Sequence, residues 1–118
     1  MKVLKFGGTS VANAQKIKLA LNIVLNQASK DKLVVVVSAL SKVTDLLQLA
    51  AAKAAAKDES YKEIVAEIEK KHLDTLKELI PVSQQSSLLS HVKRIINHLE
   101  TLLDGCFLLG ELSRRTSD

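Results

Sequence analysis

At 118 residues the chain is long enough for one domain with a real core and too short for two. Apolar residues make up 47% and charged residues 25%, and four glycines and one proline beside abundant Ala, Leu and Lys predict a mostly helical soluble protein. The net charge of +4 favours anionic ligands without selecting one, while scattered basic residues and three aromatics argue against nucleic acid.

In chain order, "KVLKF" reads as a short strand, and the start "MKVLKFGG" lacks the apolar core of a secretory signal. The segment "ANAQKIKLALNIVLNQAS" carries Ile17, Ala20, Leu21, Val24 and Ala28 at helical spacing, widened by Leu19 and Ile23. "KLVVVVSA", Lys32 to Ala39, reads as a second strand, and its unbroken valines predict burial on both faces, as in parallel sheets covered by helices. Strand, helix and strand within about 40 residues predict a right-handed βαβ unit with parallel strands, over residues 1–42.

After Ser41 the pattern is helical. Val43, Leu46, Leu47, Ala50, Ala51 and Ala54 form one face, with Thr44 or Ser41 placed to cap it. "KDES" interrupts, offering Asp58 or Ser60 as the next cap. A long helix follows with Tyr61, Ile64, Val65, Ile68, His72, Leu76 and Leu79 on one stripe, closed by Pro81. From about Ser83 a further helix carries Leu88, Val92, Ile95, Leu99 and Leu102, with Gly105 and Gly110 punctuating its end and "ELSRRTSD" reading as a surface turn or short helix. Residues 43–110 thus read as a helical hairpin or three-helix insertion. No run approaches the roughly 18 apolar residues of a membrane helix, and the lone Cys106, which suits a reducing compartment, reads as a small buried hydrophobe. A cytoplasmic location is the expectation.

The turn between the first strand and helix holds the richest chemistry. Gly7 and Gly8 let backbone amides approach an anion, Thr9 and Ser10 add hydroxyl donors and a possible helix cap, and Lys5 lies two residues before Gly7 as a point charge. The lysine precedes the glycines, so this is not a Walker A loop, and the dinucleotide fingerprint is absent. A Gly-Gly pair alone more often marks a plain tight turn.

The longer string "KFGGTSVANA" closely resembles the amino-terminal signature of aspartate kinases, in the amino acid kinase superfamily. "VVVVSALSKVTDLL" is similar to that family's valine-rich strand, serine, and threonine at a helix start, and "LLGELSRRTSD" to the stretch before its second acidic motif. The long helical insertion fits the lysine-sensitive and bifunctional (homoserine dehydrogenase-fused) branches best.

The resemblance implies an α/β fold, a partial amino acid kinase domain over 1–118. It also implies ATP-dependent phosphorylation of L-aspartate to 4-phospho-L-aspartate, in lysine, threonine and methionine synthesis. Carried over by position, Lys5 stabilises charge on the transferring phosphoryl group, and Gly7, Gly8, Thr9 and Ser10 cradle the ATP phosphates. Ser38 and Thr44 contact aspartate. Mg²⁺ is expected with the nucleotide, no metal ligands are assigned in the chain, and a homo-oligomer without nucleic-acid or membrane partners is implied. The family's Ser-Phe-Gly-Glu motif would follow Asp118, so the chain reads as an amino-terminal fragment, expected to be inactive by itself.

Other residues carry blander readings. Glu111 reads as a helix-start or surface group, and Arg114 and Arg115 as partners of a helix C-terminus or solvent. His91 and His98 lack the partners a metal site needs, and His72 reads as a packing position with one satisfied nitrogen. "EIEKKHLDTLKEL" reads as a solvated helix face. The competing functional class is a non-catalytic helical interaction module over 43–104. A kinase acting on glutamate derivatives is disfavoured by "KFGGTSV".

Overall fold

The computed structural model describes residues 1–117, with side chains described for residues 1–110. Its elements run β1 (Lys2–Phe6), α1 (Ala14–Ala28), β2 (Leu33–Val37), α2 (Val43–Ala55), α3 (Tyr61–Leu79), a 3-10 turn (Val82–Gln84) and α4 (Gln85–Ser117). The chain divides into two compact units, one from Met1 to Thr44 and the other from Asp45 onward. No helix among the described residues is long and apolar enough to cross a membrane.

In the first unit β1 and β2 pair in parallel, in register from Lys2 opposite Leu33 to Phe6 opposite Val37. Along β1, Leu4 and Phe6 are half-buried while Val3 and Lys5 are exposed, the alternation of a strand covered on one face. The covering element is α1, which buries the small residues Ala14 and Ala20. Burial of the β2 valines on both faces is not reached within the described residues: exposure runs from 41% at Val35 to 62% at Val37. A two-stranded sheet has two open edges, and one helix covers one face. On α1 itself Leu19, Leu21, Ile23 and Leu25 face outward, so its widened apolar stripe is only partly used.

The start of α1 also differs from expectation. Thr9 and Ser10 do not cap it; Asn13, in extended conformation with φ −154°, accepts a 3.0 Å hydrogen bond from the Lys16 amide. Asparagine is among the best residues for this position, because its short side chain satisfies an otherwise unpaired first-turn amide.

In the second unit α2 ends in a Schellman arrangement, with the Lys57 amide bonded to the Ala54 carbonyl (3.1 Å) and the Asp58 amide to that of Lys53 (2.8 Å). Lys57 takes φ 64°, the left-handed region that glycine fills more cheaply. Asp58 then serves α3: its carboxylate accepts from the Ser60 amide at 2.9 Å and meets Lys53 at 3.3 Å. That amide bond, with Lys53 beside it, holds the Asp58 carboxyl below its ordinary range. Ser60, the other proposed cap, makes no side-chain capping bond.

The core of this unit lies between α3 and α4. Tyr61, Ile64, Val65 and Ile68 are buried on α3, each contributing about 1.5–3 kcal/mol of apolar transfer for the aliphatic ones. The helix stops at Leu79 because Ile80 turns extended before Pro81. From there α4 runs back antiparallel, as Lys93 pairs with Glu69 (3.1 Å) while the Phe107 ring packs tilted against that of Tyr61, centroids 5.7 Å apart. The buried stripe on α4 keeps Val92 and Leu99, both half-buried, but is completed by the buried Ile96 and Leu103, whereas Leu88, Ile95 and Leu102 are exposed. Two adjacent apolar rows occur on this helix, and only contact with α3 selects between them.

Gly105 and Gly110 do not end α4, which continues through both. At Gly110 the reason for glycine is close approach: a Cβ there would lie 2.8 Å from the Ala55 carbonyl oxygen. Cys106 is exposed, not buried, because it falls outside the Leu103–Phe107 side that meets α3. His72 donates its Nδ1–H to the Ile68 carbonyl at 2.7 Å, the single satisfied nitrogen expected. The backbone of "ELSRRTS" is helical, and the readings for Glu111, Arg114 and Arg115 lie outside the described side chains.

Candidate functional site

Both strands of the first unit run parallel, so their carboxyl ends lie side by side, where open α/β sheets place their ligands. After β1 the chain makes a tight turn in which the Ser10 amide bonds the Gly7 carbonyl at 3.0 Å. After β2 the Ser38 amide bonds the Phe6 carbonyl at 3.0 Å, which pins Ser38 against that turn. A Cβ placed on Gly8 would stand 3.8 Å from Ser38 Oγ, and one on Gly7 would meet no atom within 4 Å. Neither glycine has positive φ, so neither is required by an unusual backbone conformation, and the space beside them is open or in ordinary contact.

The structure thus brings Gly7, Gly8, Thr9, Ser10 and Ser38 together. Lys5 sits within β1 opposite Val36, exposed, on the sheet face away from Leu4 and Phe6, and forms no ion pair among the described residues. Thr44 lies in the first turn of α2 and not before it, exposed. It follows a loop in which Lys42 takes φ 68°.

Two features escaped the reading of the sequence. Lys16 lines a cleft of about 290 Å³ together with Phe6, Thr9 and Ser10, which sets a lysine other than Lys5 beside the hydroxyls. Its signal was present: the Asn13 cap three residues earlier fixes where Lys16 emerges. The other is the distribution of charge. Residues 1–44 hold seven lysines against one aspartate, Asp31, so the positive charge that looks scattered over the whole chain is concentrated in the unit bearing the turn. Amides, hydroxyls and unopposed lysines can together hold a phosphate-like anion. Among the described residues no three His, Cys, Asp or Glu side chains gather to hold a metal.

Comparison with known proteins agrees with this chemistry. The model of the amino acid kinase family matches residues 1–104. The chain is 38% identical over 116 residues to bifunctional aspartokinase/homoserine dehydrogenase 2, chloroplastic, of Arabidopsis thaliana, covering 98% of the chain and 13% of that protein. It is 35% identical to aspartokinase 1, chloroplastic, of the same plant, covering 98% of the chain and 20% of the relative. With the aspartokinase of Candida albicans it shares 31% identity, over 98% of the chain and 22% of the relative. The chain therefore spans less than a quarter of the length of these relatives.

Proposed function

Because the chain belongs to the amino acid kinase family, we propose that it is the amino-terminal part of an aspartate kinase, which transfers the γ-phosphoryl group of ATP to the side-chain carboxylate of L-aspartate. The product is 4-phospho-L-aspartate, at the entry to lysine, threonine and methionine synthesis. The observation that carries this reading is the junction of the Gly7–Ser10 turn with Ser38 at the carboxyl ends of two parallel strands, in a unit of seven lysines and one acid.

In this reading the amides and hydroxyls of Gly7, Gly8, Thr9 and Ser10 hold the nucleotide phosphates. Lys5 neutralises charge that builds on the transferring group, and Ser38 and Thr44 orient aspartate. Phosphoryl transfer asks for such positioning and charge neutralisation more than for covalent chemistry by the protein. Mg²⁺ would come with the nucleotide phosphates, where it would neutralise part of their charge. With 13–22% of the relatives' length, the chain alone is expected to bind phosphate without forming aspartyl phosphate.

The test is an ATP titration followed at the Gly7–Ser10 amides, for the wild type and for Gly8→Ala and Lys5→Ala. Gly8 has negative φ and a methyl there makes only ordinary contact with Ser38 Oγ, so Gly8→Ala keeps the fold. A fall of about tenfold or more in nucleotide affinity in both variants supports the reading. Affinity unchanged in both would defeat it.

A further inference from the structure

The amino-terminal part of α4 carries hydrogen-bond donors that the strand-end turn does not use. Ser87, Ser90, His91 and Arg94 stand at positions i, i+3, i+4 and i+7, which places them on one face of the helix, and they line a surface cleft of about 280 Å³. Arg94 lies 2.7 Å from His91 Nδ1. An arginine can only donate, so Nδ1 is the acceptor and the ring proton of neutral His91 resides on Nε2.

The donors of this face have no acid to satisfy them. Arg94 forms no ion pair and the two serine hydroxyls have no hydrogen-bond partner among the described residues. The neighbouring Lys93, by contrast, is committed to Glu69. No acidic residue occurs between Glu78 and Glu100, and the first turn of α4 lacks one, although that end of a helix favours negative charge. What faces solvent is one guanidinium fork, two hydroxyls and an imidazole N–H, with a helix dipole of the same sign.

We propose that this face of α4 binds a phosphate group. A carboxylate would be satisfied by the guanidinium fork alone, through two parallel bonds. Two hydroxyls and the Nε2–H beside it suit a tetrahedral oxyanion, which offers further oxygens to the same side. The site is separate from the Gly7–Ser10 turn and does not rest on the kinase reading. Its ligand is either inorganic phosphate or the phosphoryl end of a small metabolite.

The experiment is a residue-resolved amide titration of the 118-residue chain with inorganic phosphate and with glycerol phosphate, each against sodium chloride at matched ionic strength. The proposal expects saturable shifts at Ser87–Arg94 with either phosphate and not with chloride. Arg94→Gln should weaken that binding at least tenfold and Arg94→Lys by less, with helicity by circular dichroism unchanged. If Arg94→Gln loses helicity, Ser90→Ala takes its place, and a several-fold weakening is required of it. Equal affinity for both titrants marks the phosphate group itself as the ligand, and tighter binding of the ester marks a metabolite. Shifts that fail to saturate, that chloride reproduces, or that persist unchanged in the variants would overturn it. Saturation confined to Gly7–Ser10 would also overturn it while leaving the kinase reading intact.

Discussion

Gly105 and Gly110 both lie within α4, and the same substitution should act on them with opposite sign. Replacing an interior helical glycine by alanine gains about 0.8–1.0 kcal/mol of helix propensity, since alanine loses less backbone entropy. A Cβ on Gly105 meets no atom within 4 Å, so Gly105→Ala should realise that gain in full. On Gly110 it would fall 2.8 Å from the Ala55 carbonyl oxygen. This neighbour is backbone within α2 and cannot rotate away. Overpacking of that kind costs about 1–3 kcal/mol, which cancels or exceeds the propensity gain. Gly110→Ala is therefore expected to be between neutral and about 2 kcal/mol destabilising, and the two variants to differ by about 1–3 kcal/mol. Urea denaturation followed by circular dichroism measures both, and in heat the same difference corresponds to about 4–8 °C per kcal/mol for a domain of this size. If Gly110→Ala stabilises as much as Gly105→Ala, the close approach of α4 to the end of α2 is wrong.

Three further predictions use the same denaturation and association measurements. Lys57 holds a left-handed φ of 64° at the end of α2, so Lys57→Gly should stabilise the helical unit by up to about 1 kcal/mol; a clear loss would show that Lys57 contributes more than backbone strain. Tyr61→Phe removes the hydroxyl that donates to half-buried Asp104 and should cost about 1–3 kcal/mol. Burial, and then the Asp104 carboxylate, push the Tyr61 hydroxyl up to about 12 from an ordinary 10.0. The unfolded chain thus loses that proton first, and stability present below pH 10.0 should decline as pH rises toward about 12. That alkaline decline should be smaller in Tyr61→Phe, and identical pH profiles would contradict the burial of the hydroxyl. Finally, the open edges of the sheet and the exposed Val3, Val34 and Val36 predict self-association of the 118-residue chain. Val36→Lys should shift sedimentation toward monomer without loss of helicity, whereas a wild type that stays monomeric at high concentration sinks the idea.

Local periodicity determined most of the elements. The valine run and "KVLKF" could only be strands, the alanine- and leucine-rich stretches could only be helices, and Pro81 closed α3 because an imide cannot continue the hydrogen-bond ladder. The glycine-rich turn was legible as a candidate anion cradle for a similar reason: Lys5 to Ser10 lie within six consecutive residues. What depends on partners distant in sequence was decided by tertiary structure. On α4 the expected Val92 and Leu99 stay half-buried, but Ile96 and Leu103 take the place of Leu88, Ile95 and Leu102 because contact with α3 selects one of two adjacent apolar rows. Gly110 was taken for a stop, yet it is the point where α4 meets the backbone of Ala55. The valines of β2 carry the pattern of a strand buried on both faces, but burial requires covering layers, and here one helix covers one face of two strands. Ser38 was placed in the site by resemblance alone; its position beside Gly8 exists only because parallel pairing brings the ends of two strands, about thirty residues apart in sequence, to the same edge.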